Sequence, residues 1–343
     1  MRWRRLLLPL VVGLGSAVWV VLWRLLLSSY PKEEENKNSC DGGVWCLGVR
    51  AKVRICRRRV GVRVWSPEGS KGSVRLLHLL REGIEDHPML FAGDEVVIWV
   101  PSHAPRPPVP AAIVLDERDS TAVAKPAYPG IAVFKRSVVK KEDGRFLGLV
   151  DNVWPFQYSI SNAYVRAKEE KSKKVVDVAC TLREGRGQYP LRGRVLAWTR
   201  RAMKRLNLSG VAGEVDSGSR TGFSDGYFEA MARAKIVVTA NPGNWEGDFR
   251  TYEALASGAL VFTDPLYAPM PAPFRNGTHW VVYDPHDEAQ FNRLLEFYLK
   301  RDGERARIAA RGRKHALRHH RAVSRIDWIL ASARPSLACD DHY

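Results

Sequence analysis

The chain has 343 residues and a formal net charge of +17, with 54 Lys and Arg against 37 Asp and Glu. Nine basic residues fall between Arg301 and Arg325, and others cluster from Arg166 to Lys174, without interleaved aromatics or a recognisable nucleic-acid module, which argues against a nucleic-acid partner. Five cysteines are few for this length, and their spacing fits no structural zinc pattern.

Met1-Arg2-Trp3-Arg4-Arg5 precedes an uncharged run from Leu6 to Trp23, with three more leucines after Arg24. Such a run makes about 27 Å of helix, close to the bilayer core, and Arg24 can snorkel to the interface. Arginines before the run and Glu33, Glu34 and Glu35 after it put the amino terminus in the cytosol by the positive-inside rule. The reading is a tail over 1–5, an uncleaved signal anchor over 6–27 and a stem over 28–59, where Cys40, Cys46 and Cys56 permit a disulfide whose pairing stays open.

From Val60 the pattern becomes globular, in a first domain over 60–165. Strands are expected at Val62–Trp65, Glu95–Val100, Ala111–Leu115 and Gly130–Phe134, with a helix capped by Ser73 and stopped by Gly83. Trp154-Pro155 and the charges up to Lys174 mark the expected boundary. The second domain, 175–334, begins with a strand at Val175–Cys180. There follow a helix from Arg194 to Leu206, a strand from Gly210 and a helix over Ser224–Ala234. A strand at Trp280–Tyr283 and helices over Asp287–Lys300, Glu304–His319 and Val323–Ser332 close the chain. Alternating strands and helices in two halves predict two parallel-sheet α/β domains.

The most telling phrase is Lys235 to Asp264: a buried strand at Ile236–Thr239, a polar loop at Gly243–Asp248, a helix over Arg250–Ser257 stopped by Gly258, and a buried strand at Ala259–Thr263. The loop opens at the carboxyl edge of the sheet, where such folds bind ligands. Arg250, Thr251, Tyr252, Glu253, Ala254, Leu255, Ala256, Ser257 and Gly258 resemble the donor-site signature of GT-B glycosyltransferases, in particular the group 1, spore-maturation-protein-like branch. The segment from Asn276 to Pro285 resembles that family's glycine, apolar strand and Asp-Pro, and the likeness covers roughly Val175 to Leu330. An exostosin-like transferase is the second choice, since its helix also shows Arg, then Glu-Ala and Gly before a buried strand and Asp.

The resemblance implies a GT-B fold of two Rossmann-like domains facing a cleft, behind one transmembrane helix. It implies a nucleotide-sugar donor as co-substrate, no other cofactor and no metal, with Glu253 hydrogen-bonded to the nucleotide ribose. Many retaining members carry two glutamates with seven residues between them, whereas six lie between Glu246 and Glu253, so the role of Glu246 and the stereochemistry stay open. Arg250, Arg183 and Arg186 are donor-site candidates for the diphosphate. Trp245, Glu246 and Asp248 lie in the loop that would touch the sugar. Asp116 and Asp119, after the strand ending at Leu115, are the positional candidates for a catalytic base, and Lys135 and Arg136 for phosphate contacts from the facing domain. His315, His319 and His320 lie on a heavily cationic helix and are read as a solvated face, not a metal site.

The expected protein is a single-pass type II enzyme of the Golgi or endoplasmic reticulum membrane with a lumenal catalytic domain and a glycan or glycoprotein acceptor. Its rival is a catalytically silent GT-B-like scaffold. The sequons at Asn207 and Asn276 would accept glycans in a lumen. The basic face suits nucleotide diphosphates, acidic glycans, an anionic membrane surface or plain solvent.

Overall fold

The structure, a computed structural model, describes residues 55, 58–66, 74–102, 104–109, 112–118, 132–140, 146–147, 153–166, 173–183, 189–215, 225–242, 248–268, 270–334 and 336. The tail, the anchor over 6–27 and nearly all of the stem lie outside these residues. Among the described residues no helix is long and apolar enough to cross a membrane.

The first sheet has six parallel strands: β1 (Val60–Trp65), β2 (Leu90–Ala92), β3 (Val96–Trp99), β4 (Ile113–Asp116), β5 (Ala132–Lys135) and β8 (Val153–Pro155), in the order β2-β1-β3-β4-β5-β8. Val96-Val97-Ile98-Trp99 and Ile113-Val114-Leu115-Asp116 are buried along their whole length, as expected for parallel strands covered on both faces. A two-stranded hairpin of β6 (Val139–Lys140) and β7 (Phe146–Leu147) stands outside this sheet. The second sheet, also all parallel, has the order β10-β9-β11-β12-β13, from β9 (Val176–Cys180), β10 (Gly210–Ala212), β11 (Ala234–Val238), β12 (Leu260–Thr263) and β13 (Val281–Val282).

The helices are α1 (Val74–Glu85), α2 (Asn162–Arg166), α3 (Pro190–Leu206), α4 (Asp225–Arg233), α5 (Phe249–Ala256), α6 (Glu288–Lys300), α7 (Asp302–His319) and α8 (Ala322–Ala333). Trp154-Pro155, within the stretch that marks the expected boundary, forms β8, where proline is tolerated because the strand is at the sheet edge. The boundary therefore falls after α2.

The last helix returns to the first domain and packs along α1. Gly83 does not stop α1, as the sequence suggested, but lets α8 approach. A Cβ there would lie 2.5 Å from Ile326 Cγ1 and 2.7 Å from the Ala322 carbonyl oxygen. Beside it, the buried Asp327 accepts from the Ile55 amide at 2.8 Å and meets His87 Nε2 at 2.8 Å. The Ile160 amide donates to the His320 carbonyl at 2.9 Å, fastening the end of the first domain to the start of α8.

Gly83→Ala should therefore destabilise the protein by about 1–3 kcal/mol through overpacking. Gly193→Ala, on α3 with nothing within 4 Å of its Cβ position, should be neutral or stabilising by about 0.5–1 kcal/mol. Urea denaturation of the two variants side by side checks the contrast.

Candidate functional site

The site is built around the start of α5, at the carboxyl edge of the second sheet. Asp248 has extended backbone (φ −148°, ψ 142°) and accepts from the Arg250 amide at 3.2 Å, so it is the N-cap that sets where the helix begins. Its Oδ2 also accepts from Arg250 Nη1 at 3.0 Å and from Arg192 Nη2 at 2.8 Å, with all three side chains 14% exposed or less. Burial pushes the Asp248 carboxyl up, but the guanidiniums of Arg192 and Arg250 outweigh it and hold the group below the usual carboxylate range.

Each arginine is positioned by further contacts. Arg250 Nε donates to the Tyr227 hydroxyl at 2.8 Å, and Tyr227 with Asp248 more than offsets the effect of burial on its charge. Arg192 Nε donates to the Ala240 carbonyl at 3.3 Å, and its guanidinium lies 4.8 Å from the centre of the Tyr189 ring. From the first domain, Arg136 hydrogen-bonds the Glu117 carbonyl from Nε at 3.0 Å and Nη2 at 2.9 Å, and its charge also acts on Asp248. Three guanidiniums around one carboxylate give this edge a positive excess suited to an anion.

Glu253 lies one turn further along α5 and is 2% exposed. Its charge partner is Arg75, near the start of α1 in the first domain. Apart from this ion pair, neither Glu253 oxygen has a hydrogen-bond donor among the described residues. Arg75 is held by the Tyr164 hydroxyl at 3.2 Å and lies over the Phe249 ring at 4.7 Å. The hydroxyls of Thr181 and Thr239, just past β9 and β11, are likewise buried without a partner. Buried polar groups in native proteins are almost always satisfied, so this gathering at one sheet edge marks a place where a ligand or water completes the bonding.

Asp264 ends β12 beside these groups and accepts from Asn241 through the amide at 2.9 Å and Nδ2 at 2.9 Å. Burial raises its pKa to about 6, against the lowering effect of the Asn241 hydrogen bonds.

Three of the expected donor residues, Asp248, Arg250 and Glu253, thus come together on one helix. Arg183 instead makes an ion pair with Glu214 at 2.8 Å on a more exposed part of the surface. Asp119, Arg186, Trp245 and Glu246 lie outside the described residues. Asp116 stands at the carboxyl end of β4, but its oxygens are gripped by Arg118 at 2.9 Å and 2.8 Å, with Lys135 Nζ at 3.5 Å. Burial raises the Asp116 pKa, and Arg118 and Lys135 bring it below the ordinary value, which makes this carboxylate a weak proton acceptor. Lys135 is spent on this pair and on the Arg118 carbonyl at 3.1 Å, with its pKa lowered to about 8 by burial.

Arg192 and Arg75 were not legible as site residues. With a helix start at Arg194, Arg192 fell in a loop, although Pro190, favourable in a first helical turn, signals the earlier start. The histidines are not a solvated face either. His320 is fully buried, and His315 and His320 both hydrogen-bond the Ala272 carbonyl, at 2.8 Å and 2.9 Å.

Residues 183–331 match a family model described as glycosyl transferase-like. No curated protein matches the sequence. Among solved structures, a glycosyltransferase from Rickettsia africae is similar at TM-score 0.51 and 8% identity, covering 82% of this chain and 99% of that one. AviGT4, a glycosyltransferase involved in avilamycin A biosynthesis, is similar at TM-score 0.50 and 15% identity, covering 82% and 96%. TarM matches at TM-score 0.43 and 12% identity over 70% of this chain, which spans only 54% of the length of TarM. The fold, two parallel-sheet α/β domains of the GT-B kind, is thus shared with glycosyltransferases.

The raised Asp264 pKa means that the folded state holds this proton more tightly than the unfolded chain. Its contribution to stability is fully present below pH 4 and is lost as pH rises through about 6. The stability of the wild type minus that of Asp264→Asn, measured by denaturant titration, should therefore fall between pH 4 and pH 7 and then level. Asp248→Ala, which strands two guanidiniums without a carboxylate, should cost about 3–5 kcal/mol in the same assay.

Proposed function

We propose that this protein is a glycosyltransferase that moves a sugar from a nucleoside-diphosphate donor to a glycan or protein acceptor. The observation that carries the reading is Glu253, a buried carboxylate at the carboxyl edge of a parallel sheet, paired across the domains with Arg75 and one helical turn from Arg250, which with Arg192 holds Asp248. In this reading Glu253 accepts from the ribose hydroxyls, and the guanidiniums with the amino end of α5 face the diphosphate and stabilise the charge that builds on it as the sugar leaves. The nucleotide-sugar is a co-substrate and no other cofactor or metal takes part.

The uncharged run from Leu6 to Trp23 supports an anchor over 6–27 in the Golgi or endoplasmic reticulum membrane with the catalytic domain in the lumen. The likeness of Arg250 to Gly258 to the donor helix of the spore-maturation-protein-like branch supports that subtype over the exostosin-like one. The engagement of Asp116 by Arg118 and Lys135 favours a second reading, a catalytically silent GT-B-like protein that binds glycans or scaffolds a complex.

A thermal-shift panel of nucleoside diphosphates and nucleotide-sugars on the detergent-solubilised chain separates the two. One nucleotide at a hundred times its Kd should stabilise the wild type by about 2.7 kcal/mol. Glu253→Gln should bind it roughly tenfold to a hundredfold more weakly, as expected for loss of a hydrogen bond to a charged group. No shift with any nucleotide would move the assignment to the silent protein.

A further inference from the structure

The seam between the domains holds a cation that the donor site does not need. Arg75 is the second residue of α1 and belongs to the first domain, yet its guanidinium makes an ion pair with Glu253 on α5 of the second. The side chain is held from both sides. Arg75 Nη2 donates to the Tyr164 hydroxyl of α2 at 3.2 Å, and the guanidinium lies 4.7 Å from the centre of the Phe249 ring at the start of α5. Tyr164 packs in turn on Phe228 of α4, with ring centres 4.5 Å apart.

Burial gives this pair two effects. The Glu253 side chain is 3% exposed and that of Arg75 15%. A carboxylate so far from water needs a cation, and Arg75 supplies it. The same contact closes the carboxylate off. Glu253 keeps lone pairs for further donors, but a side chain with 3% of its surface open has no face on which a ribose can set two hydroxyls. This conformation therefore excludes the ligand that the carboxylate would hold.

The seam is also built to come apart. Gln157, 1% exposed and just past β8, accepts from the Tyr252 hydroxyl at 3.3 Å, while its Nε2 is buried without a partner among the described residues. An unmet buried donor is a standing cost of the closed seam, relieved when water or a ligand enters. The ions of a buried pair regain hydration when they separate, a compensation that packed apolar surface lacks. Meanwhile α8, packed on α1 through Gly83, keeps the domains joined.

We propose that Arg75 is a gate on the donor site: it pairs with Glu253 in the donor-free protein, and its guanidinium leaves the carboxylate before a ribose takes its place. The inference rests on the reading of Glu253 as the ribose acceptor. The alternative is an Arg75 that stays and orients Glu253, and the two differ in sign. A gate competes with the ligand, so the apparent affinity is the intrinsic one reduced by the fraction of molecules with the gate open, and removing the guanidinium restores that loss. Removing an orienting residue weakens binding instead.

The test is calorimetric titration of the detergent-solubilised full chain with uridine, guanosine, adenosine and cytidine diphosphates. For the diphosphate that binds, Arg75→Gln should lower Kd about threefold to tenfold, equivalent to a gate open in roughly a third to a tenth of wild-type molecules. The gain should lie in the association rate, measured by stopped flow, because the gate acts on the free protein and dissociation is unchanged. Arg75→Lys, which keeps the charge but not the planar fork, should fall between the two. Tyr164→Phe removes only the hydroxyl that holds Arg75, should shift Kd the same way by a smaller factor, and decides the matter if the Arg75 variants fold poorly. A diphosphate that binds these variants no more tightly than the wild type overturns the gate and leaves the donor reading standing. Absence of binding by every diphosphate, to wild type and variants alike, overturns both.

Discussion

The cleft edge is organised by a single carboxylate. Asp248 caps α5 through its own side chain and at the same time neutralises Arg192 from α3 and Arg250 from α5. A charge removed from water must be paired or it is very costly, so these groups settle together or not at all. That requirement fixes the first turn of α5 against the first turn of α3. It also sets the roll of α5, which turns Phe249, Tyr252 and Glu253 toward the first domain.

Those three residues form one joint between the domains, and α8 forms another that is built differently. At α5, Phe249 stacks on Tyr158 with ring centres 3.5 Å apart, the Tyr252 hydroxyl donates to Gln157 at 3.3 Å, and Glu253 makes an ion pair with Arg75. At α8, Gly83 brings two helix backbones into contact over an apolar interface, reinforced by the His87 to Asp327 contact. Close-packed apolar surfaces resist displacement, whereas a carboxylate held by one guanidinium keeps acceptor capacity for a further partner. The α8 joint therefore holds the domains together, and the α5 joint is the one a ligand has reason to open.

Much of this architecture is legible in the residues because burial writes a plain pattern. Runs such as Val96 to Trp99 and Leu260 to Phe262 are apolar throughout, and only a doubly covered parallel strand or a short buried helix produces that. Helix α5 is legible from the polar loop before it and its closing Gly258. What escapes is whatever depends on a distant partner. Gly83 reads as a helix stop until Ile326 and Ala322 are seen against it, and Trp154-Pro155 reads as a boundary mark until β5 is seen to pair with it. Arg75 carries no local mark at all, since its meaning lies in a carboxylate 178 positions further along the chain. Asp116 shows the converse, because its place at the end of β4 is legible and its capture by Arg118 and Lys135 is not.

The net charge of +17 also divides into two kinds once the fold is known. At the carboxyl edge the cations are few, largely buried and each committed to a named oxygen. Their positive excess is therefore preorganised and little screened by salt. Along α7, at the amino ends of the strands, they are more numerous and more exposed, and attraction there is longer in range and weakens as salt rises. The first arrangement suits a small anion held in one geometry. The central sheet keeps the two apart, so salt that screens the second leaves the first in place.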